Sequence, residues 1–232
     1  MDTPPHPTYE SLRQTKQQLT ASVSFLRLRW YLKGSVEESI KLLEDATVHT
    51  SQQDQYQTSS ASSTDGQQPE TRLHEVASES ITEPPVSSIT VTIRELDGWE
   101  SNWLDNHHPH AEDVDSALYA DDGSLIRCCD EDRPGPGPSL LVEAGSGAFV
   151  TTQDFAAAVH PWMSTFEAQV RSAKGVFRGR PVPTTHELFL YNLEPSPLHV
   201  ADAVGAGPGW WDFQWKKMAQ LAAIVQSRTA ET

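Results

Sequence analysis

The sequence predicts an α+β protein in three parts. These are a coiled-coil-like helical hairpin over 1–46, a disordered linker over 47–85, and an acidic domain over 86–228. The last is expected to hold a small mixed or antiparallel sheet and two amphipathic helices. Three observations carry this reading: heptad-like spacing at the front, a Ser/Thr/Gln-rich run behind it, and alternating strand and helix periodicities in the remainder.

At the front, Tyr9, Leu12, Lys16, Leu19, Val23, Leu26 and Trp30 are spaced 3-4-3-4-3-4, an a/d seam with one basic interruption. Thr8 caps a helix over 8–33, Glu10 sits in its first turn, and Gly34 ends it. Ser35-Val36-Glu37-Glu38 is a capping-box signature for a second short helix through Ile40 and Leu43. Such a pair is too small to bury a core alone, so it must pack on this chain, a second copy or a partner. The seam Leu12, Leu19, Val23, Leu26 and Trp30 is the expected association surface.

From Ser51 to Gln68 the chain has almost no large apolar side chain. Too little burial is available there to offset the entropy of ordering, which predicts a flexible tether ending near Pro84-Pro85.

Behind it, Ile89, Val91 and Ile93 alternate with Thr90, Thr92 and Arg94, which predicts a strand with one buried face. Ser124–Cys129 predicts a second strand. Ser139–Glu143 and Ala148–Val150, flanking Gly145-Ser146-Gly147, predict a hairpin. Phe155, Val159, Trp162, Phe166 and Val170 mark an amphipathic helix ending near Gly175, with Pro161 disturbing it near His160. Glu187–Asn192 is a further strand. A last helix follows Gly209, its stripe formed by Trp211, Trp215, Met218, Ala222 and Val225.

The net charge is −15, and all of the excess lies in the middle. Residues 51–145 hold four basic and nineteen acidic side chains, while the flanks balance at six against six and seven against seven. Such a field repels nucleic acid and anionic membranes and attracts a basic partner. No uncharged apolar run reaches membrane-spanning length, and the first residues lack the charge and apolar pattern of a secretory signal. The two cysteines are neighbours, Cys128 and Cys129. No disulfide framework is available, which favours an intracellular, cytoplasmic or nuclear setting.

Three clusters bear on chemistry. His107-His108-Pro109-His110 with Glu112, Asp113 and Asp115 offers imidazole and carboxylate ligands for zinc or another divalent ion. On an extended segment His108 and His110 point to one side. Asp115, His186 or one of the two cysteines is the third ligand to consider, and the spacing matches no established zinc signature. Trp99 and Trp103, four residues apart beside Asp113 and Asp115, form a candidate surface for a protein partner. Lys174, Arg178 and Arg180 make a small basic loop. No Walker A, dinucleotide fingerprint, nucleophile elbow or paired C-x-x-C is present.

The expected function is therefore non-enzymatic: a protein that associates with a partner or with itself through its helices, and presents an acidic Trp-rich surface. No cofactor is required by that reading. The alternative is a metal- or small-ligand-binding enzyme with His108, His110 and Asp115 at its site.

Overall fold

In the computed structural model, residues 6–59, 71–191, 193–202 and 210–229 are described. The chain opens with α1 (Tyr9–Gln14), capped by Thr8 as expected. It then departs from a helical hairpin. Lys16 takes a left-handed conformation (φ 53), and the chain continues as β1 (Thr20–Ala21), the single turn α2 (Val23–Leu26) and β2 (Leu28–Tyr31). Ser35 and Glu38 do form a capping box, but α3 (Val36–Ser39) lasts one turn before β3 (Ile40–Leu43) begins.

The physical reason lies in Leu28-Arg29-Trp30-Tyr31-Leu32. Leu26 and Trp30 fit a heptad, but Leu28, Trp30 and Leu32 fit a period of 2, and the bulky residues between them suit a strand covered on both faces. Leu28, Arg29 and Trp30 are all buried. β2 lies central in an antiparallel five-stranded sheet of order β14-β13-β2-β3-β4, with β4 Gln53–Gln55, β13 Leu188–Leu190 and β14 Val200–Asp202. Trp30 Nε1–H donates to His160 Nδ1 (2.9 Å), and His160 Nε2–H donates to the Gly34 carbonyl (2.8 Å). Both polar rings are thereby satisfied inside the core.

The expected linker also changes character. β5 (Gln57–Ser59) pairs with β6 (Thr71–Leu73), and β7 (Thr82–Glu83) pairs with β1. Tyr56, Val76, Ala77 and Ile81 are buried in the main core. These few apolar anchors, diluted among polar residues, were enough to order the flanks. The Ser/Thr-rich stretch 60–70 lies outside the described residues. One apolar cluster runs from Leu12 through Tyr56 and Ile81 to Val225, so residues from all three expected segments share a core.

The strand predicted at 89–93 is β8 (Ser88–Thr92), with Ile89 and Val91 buried. It is followed by α4 (Arg94–Asp97), α5 (Trp99–His107) and a 3₁₀ turn over His108–Asp113. β9 (Leu118–Tyr119), β10 (Leu125–Cys128) and β11 (Glu131–Asp132) form a separate small sheet of order β11-β10-β9. β12 (Ser139–Glu143) pairs with β8 rather than with 148–150, so the predicted hairpin is not formed. Val150 N–H instead donates to the Val86 carbonyl.

The amphipathic helix is two helices, α6 (Thr152–Thr165) and α7 (Glu167–Gly175). Pro161 is accommodated within α6, and the interruption falls at Phe166. The last helix is α8 (Trp210–Thr229). Met218, Ala222 and Val225 are buried along it. No helix among the described residues is long and apolar enough to cross a membrane.

Of the expected seam, Leu12, Leu26 and Trp30 are buried in the chain's own core, and Leu19 and Val23 pack against it half-buried. We therefore expect Leu26→Ala to cost about 2–5 kcal/mol in urea unfolding without changing the oligomeric mass. A changed mass with an unchanged unfolding midpoint would restore the seam.

Candidate metal centre

Residues 99–133 form a lobe with a small core of their own: Trp103, Ala111, Leu125 and Cys128, flanked by Leu104, Val114 and Ala117. Four buried side chains are little to fix a lobe of this size, and small units of this kind use disulfides or metals as staples.

Two turns bring the candidate ligand side chains together. The first is the 3₁₀ turn after α5, with three residues per turn. It places His107 and His110, three apart, on one side, and sends His108 outward to solvent. The expectation that His108 and His110 share a face assumed an extended backbone, and the turn removes it. The second is the tight turn between β10 and β11. Cys129 (φ 52) and Asp130 (φ 62) are both left-handed, and Cys128 pairs with Glu131 across it. Two such positions correspond to the hairpin turn that normally takes Asn-Gly or Asp-Gly. With Cys-Asp in their place the backbone carries strain, on the order of 1–2 kcal/mol per residue.

The strained turn brings the neighbouring thiols together. Cys128 Sγ and Cys129 Sγ are 3.8 Å apart. His110 Nε2 stands 3.2 Å from Cys129 Sγ and 3.7 Å from Cys128 Sγ. All three donor atoms lie within 4.8 Å of one another. A tetrahedral zinc ion with Zn–S of about 2.3 Å and Zn–N of about 2.05 Å requires S···S of about 3.8 Å and S···N of about 3.6 Å. Two of the three edges match closely. The short third edge also suits a thiol hydrogen bond to the imidazole, which does not by itself require the second sulfur to converge.

Burial pushes the Cys128 thiol up from its ordinary range, with the neighbouring Cys129 adding to the effect. A thiol raised in this way is a weak nucleophile at neutral pH. Cys128 is buried and Cys129 exposed. His110 and Cys129 line a cavity of about 620 Å³, walled also by Trp103, His107, Glu131 and, from the main body, Gly175 and Arg180.

The other sequence candidates fall elsewhere. Asp113 and Asp115 are exposed and are not part of the triad. His186 lines a different cavity, with Arg171. Trp103 is buried and Trp99 half-buried against the main core, so neither is an exposed anchor. Lys174 and Arg178 both face Asp202, at 3.3 and 3.8 Å, which leaves Arg180 alone on the cavity wall. The loop 205–209 lies outside the described residues.

A second polar cluster, unmarked in the sequence, joins α4 to β14. His199 Nε2 lies 3.2 Å from Glu95 Oε1, and Glu95 Oε2 accepts from Val200 N–H at 3.1 Å. Burial pushes Glu95 up and His199 down to about 4. Both Glu95 oxygens are engaged in holding the strand end, which fits a structural role.

No family model, curated protein or solved structure matches this chain.

The turn itself is open to test. Asp130→Gly relieves one left-handed position, and we expect it to raise stability by a few tenths to about 1 kcal/mol in thermal unfolding. A loss of stability would show that Asp130 is held there by something other than backbone geometry.

Proposed function

We propose that this chain is a non-enzymatic, zinc-binding interaction protein. His110, Cys128 and Cys129 hold the ion and tie the 3₁₀ turn to the β10–β11 hairpin. The observation that carries the reading is the convergence of one imidazole and two thiols at spacings suited to tetrahedral zinc. Zinc is favoured over harder ions because two of the three donors are sulfur. The free thiols fit a reducing cytoplasmic or nuclear setting.

The partner side of the reading rests on charge. Residues 99–133 contain ten acidic and two basic side chains, a net of −8 within the chain's −15. Leu118, Tyr119 and Ile126 are exposed on the small sheet among them, at 51%, 49% and 42%. An acidic surface with apolar contacts suits a partner segment rich in Lys or Arg and interleaved with aliphatic residues.

Chelation should lower the thermal midpoint of the purified protein, with recovery on adding zinc, because ligation free energy contributes to folding of the lobe. Cys128→Ser should remove that response. A midpoint indifferent to chelator and zinc would overturn the metal reading. A Lys/Leu-rich peptide should bind in a salt-sensitive manner and be released on zinc removal. Binding that persists unchanged without zinc would separate the charge from the staple.

A further inference from the structure

His107 belongs to the histidine cluster of the sequence, and it stands outside the triad. Its setting is nevertheless that of a metal ligand. The ring is buried and stacked on Trp103, with centroids 4.4 Å apart. Its Nδ1 lies 2.8 Å from the Trp103 carbonyl, an acceptor, so Nδ1 carries the proton and Nε2 the lone pair. A backbone carbonyl receiving the second ring N–H is the arrangement that fixes tautomer and orientation in zinc-bound histidines. The nearest carboxylate to Nε2 is Glu131 Oε2 at 3.8 Å, too long for a hydrogen bond.

His107 lies outside the set of donor atoms within 4.8 Å of one another, but its ring spacing to His110 suits a shared centre. Two imidazoles on one tetrahedral zinc ion, each with Zn–N of about 2.05 Å, have ring centroids about 5.2 Å apart. The His107 and His110 centroids are 5.6 Å apart, with the planes tilted by 48°.

We propose that His107 is the fourth ligand, closing a Cys₂His₂ centre with His110, Cys128 and Cys129. This rests on the metal reading above. Ligation draws the two turns towards the His107 ring, which the Trp103 stack and carbonyl hold in place. Two thiolates and two neutral imidazoles cancel the charge of a divalent cation, so the closed centre is neutral and suits its half-buried position. The 3₁₀ turn and the β10–β11 turn would then be stapled to the end of α5 through His107. The signal in the sequence is H-x-x-H followed by C-C, in which the adjacent cysteines replace the usual spaced pair.

Cobalt(II) is the probe, since its visible bands report four-coordination and sulfur ligation. In the full-length wild-type protein we expect a tetrahedral spectrum that excess azide leaves unchanged, because no exchangeable position remains. His107→Ala should weaken cobalt binding on the order of 100-fold and make the spectrum azide-sensitive. Glu131→Gln should behave as wild type. A wild-type spectrum that shifts with azide would mean an open fourth position on the cavity and would overturn the proposal, as would wild-type affinity in His107→Ala. X-ray absorption of the zinc-loaded wild-type protein gives an answer without substitution: two sulfur and two imidazole ligands support closure, and a single imidazole refutes it. No cobalt or zinc binding by the wild-type protein would instead defeat the metal reading itself.

Discussion

The fold depends on β2 being covered on both faces. Leu28 and Trp30 on one side and Arg29 on the other are buried, and strands flank β2 at both edges. That burial draws in distant parts of the chain. The Trp30 ring reaches His160 on α6, and the Arg29 guanidinium sits over Trp215 on α8 at 5.2 Å. Burial lowers Arg29 to about 10, still high enough to keep it charged at neutral pH. Helix, strand and sheet edge from both ends of the chain are thus held by one segment.

Residues 99–133 lie outside that arrangement. Their own core is four side chains, their surface is strongly acidic, and self-repulsion works against compactness. A divalent ion at the proposed centre would answer both problems at once, since it would crosslink two turns and neutralise two thiolates. The left-handed Cys129 and Asp130 fit the same account: an unfavourable turn is tolerated where ligation over-determines it.

Much of the back half could be read from residues. The alternation at Ile89 and Val91 and the Met218–Val225 stripe each follow one periodicity with no competitor. The front half misled because Leu26 and Trp30 satisfy a heptad while Leu28, Trp30 and Leu32 satisfy a strand, and only tertiary pairing with β13 and β3 decides between them. In the polar stretch, composition averaged away Tyr56, Val76 and Ile81, single anchors whose burial orders what surrounds them. At the candidate metal centre the residue types of the triad stood in view, but two assumptions separated them. An extended backbone at His108–His110 put together two histidines that the 3₁₀ turn sets apart. A regular strand sends neighbouring side chains to opposite faces, whereas the left-handed turn at Cys129 brings the two sulfurs to 3.8 Å.

The most direct measurement is the native mass of the full-length chain, purified under reducing conditions without added metal or chelator. The account predicts one zinc ion per chain, retained in the native spectrum and lost on acid denaturation. A native mass equal to that of the bare polypeptide, unchanged after incubation with zinc, would contradict it.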